Sequence, residues 1–511
     1  MQKPSWLSIK YIPPAILAVS LMVIYLQTMA PGLTWSNNGE DGGDLITAAV
    51  TGGVAHPTGY PTYLLLARLF QWLPIGTLAY RTNLMSAILT AAACVGIYHL
   101  VTRSLSSTDP HRHWFAGLVS AFAFGLSPLA WSQAVITEVY ALHALFVVLI
   151  LYLSLDDSTL QSAQKRTGRL LGLTFGLAMG NHVTTILLIP MLLPSAFLCK
   201  PIMTTEIRRS AEERQPAIDS LLRRLTWLGI GLLVYLTLPL RALLQSPVNW
   251  GNASTLNGFG WLVSAQLYQD QILVLSLSSL WLRVQAAAAL LTEQFGIPGL
   301  VIGLIGLVVF YRSSRLHENM IWIVFVSFAF AIVYATHDSF MYLIPAFLCF
   351  AIWIGVGLAG LMDILDQRFR RIGVAGGLIL IVYLFVLAGN HWRQVDASRD
   401  LRAERFGGEV LAQVPRNAIV FAEGDKAIFA MWYFHYALKE RSDLVVVATG
   451  LLSFDWYQES LLTAYPGLKL SVPFPFSETV AEENPGRSVC FIEYVETAKI
   501  DCLPAQDSKL P

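Results

Sequence analysis

Three carboxylates, Glu40, Asp41 and Asp44, cluster just ahead of His56. They come directly after an apolar run, Ile12 to Met29, that is long enough to cross a bilayer. Acids in loops are commonly just solvated. Here they are followed by a small-residue apolar stretch, Leu45 to Val54, and by a segment from Tyr63 to Trp72 with one apolar face. His56-Pro57 and Tyr60-Pro61 separate the two, because a residue before proline is pushed out of the helical region. The expectation is two short helices along the membrane surface, joined by a proline turn. Such a loop would hold its carboxylates in fixed positions at the water–lipid boundary.

Further polar groups stand between apolar runs: Trp131-Ser132-Gln133 with Glu138 and Tyr140, then Asn181-His182, Arg241, and His337-Asp338 with Tyr342. Each has a plain alternative. Glu138 suits the N-terminal dipole of the helix it precedes, His182 suits a packed core, and Arg241 can snorkel to the interface. All of them nevertheless fall on the same predicted membrane face as Asp41 and Asp44, whereas chance would scatter them over both faces. A pocket with this lining suits a lipid phosphate: the cation holds the phosphate and a carboxylate takes a proton. Glu40, Asp41, Asp44 and Glu138 also have the chemistry for a divalent cation, but with no defined ligand spacing neither metal nor cofactor is expected. There is no HExxH or P-loop, and Gly52-Gly53 lacks the strand-to-helix setting of a nucleotide fingerprint.

The elements that must position these groups are mostly lipid-solvated. The 511 residues are 55% hydrophobic and 13% charged, with mean hydropathy +0.55, outside the range of an ordinary soluble globule. Lys and Arg, at 34, equal Asp and Glu, at 34, and no basic run suggests a nucleic-acid partner. Apolar runs centred near Ala92, Ala121, Val147, Leu177, Leu192, Leu232, Ile305, Val326, Ala351 and Ile381 join the first to predict about eleven transmembrane helices. Phe175 to Leu198 reads either as continuous or as two short helices meeting at Asn181-His182. Basic residues gather in alternate loops, from Lys3 and Lys10 through Lys165 and Lys200 to Arg371. That asymmetry predicts a cytoplasmic N-terminus, with the acidic loop and everything after about Asn390 facing outward.

Two regions are therefore expected: a polytopic module over 1–390 with outer loops 30–80 and 242–295, and an extracytoplasmic α/β domain over 391–511. In the latter, Asn417 to Ala422 and Leu444 to Ala448 read as buried strands, and Lys426 to Leu438 and Trp456 to Ala464 as helices. Cys490 and Cys502 could pair there if the compartment is oxidising. Cys94, Cys199 and Cys349 read as packing residues.

Asp41-Gly42-Gly43-Asp44-Leu45-Ile46-Thr47-Ala48-Ala49, followed by His56-Pro57-Thr58-Gly59-Tyr60-Pro61, resembles the pattern D-S-G-E-L-I-T-A-A then H-P-P-G-Y-P. The pattern belongs to a membrane family formerly catalogued as a domain of unknown function. That family is related to the endoplasmic-reticulum protein O-mannosyltransferase acting on plexin-type receptors. Arg81-Thr82-Asn83-Leu84, Trp131 to Tyr140, Gly180-Asn181-His182, Leu238-Pro239-Leu240-Arg241, Asn249-Trp250-Gly251 and Tyr342-Leu343-Ile344-Pro345 extend the resemblance over about residues 12–400. It implies a GT-C type glycosyltransferase that takes a sugar, mannose or another hexose, from a polyprenyl-phosphate donor to a hydroxyl acceptor on protein or glycan. By position it implies Asp41 as the catalytic acid, with Asp44, which replaces Glu, as the rival base. Tyr60, His56, Glu138, Tyr140, His182, Arg241, Asn249, Trp250, Asp338 and Tyr342 are the expected binding residues. A flippase that moves lipid-linked sugar without bond cleavage is the alternative; it would be expected to show paired internal repeats, and none is evident.

Overall fold

The helix Ile12–Thr28 buries Leu17, Leu21, Tyr25 and Thr28 on one stripe, while Ile12, Ile16, Val19, Val23 and Leu26 are between 45% and 63% exposed. A helix apolar on both its packed and its open face is solvated by hydrocarbon rather than water. The computed structural model describes residues 11–105, 110–155, 161–194, 207–309, 315–368, 372–470 and 477–505. Lys3, Lys10, Cys199, Lys200 and Arg371 lie outside the described residues.

Among the described residues, six helices are long and apolar enough to cross a membrane: Leu78–Ser104, Gln215–Ala242, Leu277–Val309, Arg315–Val333, Ser339–Leu365 and Gly373–Val395. The protein is thus an integral, multi-pass membrane protein. A seventh span is formed if Arg112–Gly125 and Pro128–Ala134, bent by 70°, act as one. The bend falls where Ser127 precedes a proline and is extended at ψ 135°. All eleven expected apolar centres fall on helices, but the count of eleven spans is not supported by length. Tyr140–Ser154 has 15 residues and Val183–Leu192 only 10, so the longer reaches roughly 22 Å against a hydrocarbon thickness of about 30 Å. Asn181-His182 does mark a break, between Gln161–Met179 and Val183–Leu192. The outer loop expected over 242–295 is shorter, because the helix Leu277–Val309 begins well inside it and breaks only at Gly296, with φ 62°.

Ser339–Leu365 is the central element, 94% buried over its apolar window. It meets Leu277–Val309 at Gly306, where a Cβ would run into the Trp353 carbonyl. Small residues let helix backbones approach in this way and gain close packing without a hydrophobic drive.

After Val395 the chain forms the helix Arg402–Gln413 and a four-stranded sheet: β1 (Ile419–Glu423), β2 (Val445–Ala448), β3 (Val489–Val495) and β4 (Thr497–Leu503). The order is β2-β1-β3-β4, with β1 parallel to β2 and β3, and β4 antiparallel to β3. β1 is buried except at Glu423, and β2 throughout, as covered parallel strands require. The hairpin of β3 and β4 carries a Cys490–Cys502 disulfide across directly paired residues. Cys94 and Cys349 are buried thiols.

This domain is seated on the acidic loop. Asp400 Oδ2 accepts from Thr34 Oγ1 at 2.6 Å, Ser36 N at 2.8 Å and Trp35 N at 3.0 Å, and Glu404 Oε1 accepts from Leu33 N at 2.9 Å. Each carboxylate satisfies donors that a turn would otherwise leave open.

Candidate active site

The acidic stretch folds as expected into two short helices, Gly42–Thr51 and Pro61–Phe70, separated by the turn that holds His56. Asn37 and Asn38, at φ 57° and 63°, take the left-handed conformation that asparagine tolerates, and so turn the chain sharply before Asp41. Asn37 is pinned by its Nδ2 to the Val395 carbonyl at 2.9 Å, and its own carbonyl accepts from Gln133 Nε2 at 3.2 Å. Asp41 therefore sits on a fixed loop.

His56 lies between two acids. Its Nδ1 is 2.7 Å from Asp44 Oδ2 and its Nε2 is 3.4 Å from Asp41 Oδ2. Asp44 is fully buried and also accepts from the His56 amide at 2.9 Å and from Trp250 Nε1 at 3.1 Å. Asp44 thus faces the imidazole and the indole behind it, whereas Asp41 keeps 40% of its side chain accessible. The imidazole is further held between the Tyr60 ring, centroid at 5.0 Å, and the Phe429 ring, stacked at 6.3 Å.

Asp41 opens into a cavity of about 580 Å³, within the size range of small-molecule sites. Asp41, His56, Tyr60, Glu138, Tyr140, His182, Asp338 and Tyr342, all expected from the sequence, line it together. Four expected residues do not. Asp44 and Trp250 form the layer behind His56. Asn249 pairs with Val54 through the backbone and so places Trp250. Arg241 corrects the expectation most: its Nη1 donates to the carbonyls of Ala48 at 3.2 Å and Gly53 at 3.1 Å. It closes the C-terminal end of Gly42–Thr51, where the open carbonyls and the negative dipole favour a cation.

Among the described residues no Lys or Arg lines the cavity. Its acidic residues are Glu40, Asp41, Glu138, Asp338 and Asp425, and its imidazoles are His56, His182 and His337. Burial pushes His56 down, but the two carboxylates on its ring outweigh this and bring it up to about 9. Burial, partly offset by that imidazolium, raises Asp41 to about 6. Burial and then the charge of Asp41 push Glu138 well above the usual carboxylate range. Burial also raises Asp425, opposed by His56.

The wall residues that are also exposed mark where the cavity opens. Asn38, Ser264, Gln269, His337 and Asp425 form a polar rim, and Ile186 and Ile272, 47% and 39% exposed, an apolar one. Asp425, Tyr268 and Tyr334 went unforeseen. Asp425 lies in the soluble domain, so nothing in its sequence neighbourhood pointed to a site elsewhere.

Residues 41–203 match the family model described as the Protein O-mannosyl-transferase TMEM260 N-terminal domain, and residues 403–488 match TMEM260-associated domain 2. Over these two segments the chain is similar to that family. Protein O-mannosyl-transferase TMEM260 of Mus musculus is 26% identical over 457 residues, covering 84% of this chain and 62% of that protein. The Dictyostelium discoideum protein of the same name is 26% identical over 499 residues, covering 87% and 58%. The chain thus spans about three-fifths of the length of these curated relatives. Among solved structures, ArnT from Cupriavidus metallidurans bound to undecaprenyl phosphate superposes with TM-score 0.56 at 11% identity, covering 95% of this chain and 93% of that one. AglB from Archaeoglobus fulgidus, in complex with an inhibitory peptide and a dolichol-phosphate, gives 0.54 at 12% identity, covering 96% and 70%. These likenesses establish the GT-C fold.

Proposed function

We propose that the chain is an inverting glycosyltransferase that moves a hexose, mannose first among the candidates, from a polyprenyl-phosphate donor to a hydroxyl acceptor on protein at the outer membrane face. The observation that carries this is the line Asp44–His56–Asp41 ending in a cavity with one apolar and one polar rim. The names of the mouse and Dictyostelium relatives support mannose and a protein acceptor, and the lipid phosphates bound by ArnT and AglB support the donor class.

In this reading the lipid enters past Ile186 and Ile272, and the acceptor past Asn38 and His337. Asp41 takes the acceptor hydroxyl proton, the oxygen attacks the anomeric carbon from the opposite face, and the bond to phosphate breaks with its electron pair leaving on the phosphate. His56, charged and braced by Asp44, keeps Asp41 oriented and ionised. Glu138, on the cavity wall, hydrogen-bonds a sugar hydroxyl. With Arg241 committed to a helix end, His182 and the Thr184 hydroxyl, 2.7 Å apart, are the polar groups beside the apolar wall for the departing phosphate. No cofactor enters the reading.

The domain after Val395 is proposed to face outward with the cavity, as its disulfide and the basic loops at the other helix ends support. The test is transfer from polyprenyl-phosphate mannose to a Ser/Thr peptide, with a chelator present. Asp41→Asn is expected to lower the rate by about 10²–10⁴-fold while the variant unfolds at the wild-type temperature. Full activity in Asp41→Asn, or movement of labelled lipid-sugar across vesicles without bond cleavage, overturns the reading.

A further inference from the structure

Among the described residues, Asp425 is the one carboxylate of the cavity wall that comes from the domain after Val395. It stands in the first turn of the helix Gly424–Trp432 and is exposed on the polar rim. No hydrogen bond or ion pair to it is found among the described residues. Its neighbour Lys426 is already engaged, 3.2 Å from Glu40 and 5.8 Å from the Tyr494 ring centroid. The helix itself cannot drift: a Cβ at Gly43 would run into the Phe429 carbonyl, and Phe429 stacks on His56. Asp425 is therefore a carboxylate with no hydrogen-bond or ion-pair partner among the described residues, at the polar opening of the cavity that holds Asp41.

Among the described residues the rest of the rim carries no Lys or Arg. Asn38, Ser264 and Gln269 are neutral, Asp338 also lines the cavity, and the imidazoles of His56 and His337 are the basic groups of the wall that act on Asp425. A concave mouth with one sign of charge raises the local concentration of the opposite sign and steers its approach. The donor phosphate, itself anionic, is favoured at the other end, by His182, Thr184 and the apolar wall.

We infer that Asp425 is a specificity-determining residue for the acceptor, which the site selects as a hydroxyl-bearing peptide with a cationic side chain next to the accepting Ser or Thr. The inference rests on the glycosyltransferase reading. In it, the domain after Val395 forms part of the acceptor site rather than an appendage to it.

The experiment uses the full chain in lipid nanodiscs, polyprenyl-phosphate mannose as donor, and three peptides that differ only in carrying Lys, Gln or Glu beside the acceptor residue. The Lys peptide is expected to exceed the Glu peptide by about tenfold or more in kcat/KM at low salt, mostly through KM, with the gap narrowing as salt rises. Asp425→Asn should shrink the gap, and Asp425→Lys should reverse the order of the Lys and Glu peptides, an inversion that a merely structural role would not produce. Equal use of the three peptides by the wild type overturns the inference while leaving the transferase reading intact. So does an unchanged order in Asp425→Lys, or an Asp425→Asn defect confined to the donor KM. Failure to modify any peptide, with no sugar released from the donor, overturns both.

Discussion

Asp41 is a usable base because of what stands behind it. Burial raises Asp41 to about 6 even against the charge of His56, and without that charge the acid would lose still more of its ionised fraction at mild acidity. The rate should therefore climb as pH passes about 6, where Asp41 ionises, and fall as pH passes about 9, where the imidazolium loses its proton. A bell-shaped kcat/KM profile measures both limbs. In His56→Asn the alkaline limb should vanish and the acid limb should move to higher pH, since the charge that held Asp41 down is gone. An acid limb unmoved by that change would detach His56 from Asp41. The same geometry decides between Asp41 and Asp44. In the sequence the two were rivals for the base, three positions apart on one polar loop. In the fold, Asp44 turns inward to His56 and Trp250 because it sits in the first turn of Gly42–Thr51, where the packed face of that helix begins.

At the scale of elements, the helix Gly42–Thr51 holds the site together from both ends. Near its start Gly43 lets Gly424–Trp432 approach until backbone meets backbone. Gly43→Ala should cost about 1–3 kcal/mol of stability and lower activity, because the added methyl pushes Phe429 off His56. Thermal unfolding and turnover together check this, and a stable but inactive variant would be the clearest sign of a shifted wall. At its end Arg241 binds two carbonyls, so Arg241→Ala should cost about 1–3 kcal/mol while leaving the donor KM within about twofold. A donor KM raised tenfold or more would return Arg241 to the phosphate. An arginine after an apolar run is consistent with both roles, since neither the phosphate nor the carbonyls it meets is adjacent in the chain.

At the scale of the whole molecule, the cavity has walls from the first outer loop, from the breaks at 133–140 and 182–187, from the loop at 264–272, from 330–342 and from Asp425. The topology expected from the basic loops puts the pieces between spans at one end of the helices, and Asp425 joins them from the domain after Val395. If that end faces outward, protease added to sealed vesicles with their cytoplasmic side exposed should leave residues 391–511 intact and cut them only after detergent. Cys490 and Cys502 should in the same vesicles resist thiol labelling until reduced. Digestion before detergent would invert the proposed orientation.

Taken alone, the sequence determined the membrane class, the two helices of the acidic stretch and the company of Asp41, His56, Glu138, His182, Asp338 and Tyr342. Each follows from local rules: spanning length, the conformational restriction before proline, and the tendency of costly polar groups to gather on one face. Tertiary structure alone decided the inward turn of Asp44, the structural post taken by Arg241, the reach of the spans and the arrival of Asp425. Those depend on which backbone groups are left open and which surfaces meet across hundreds of residues, and no periodicity or spacing along the chain records that.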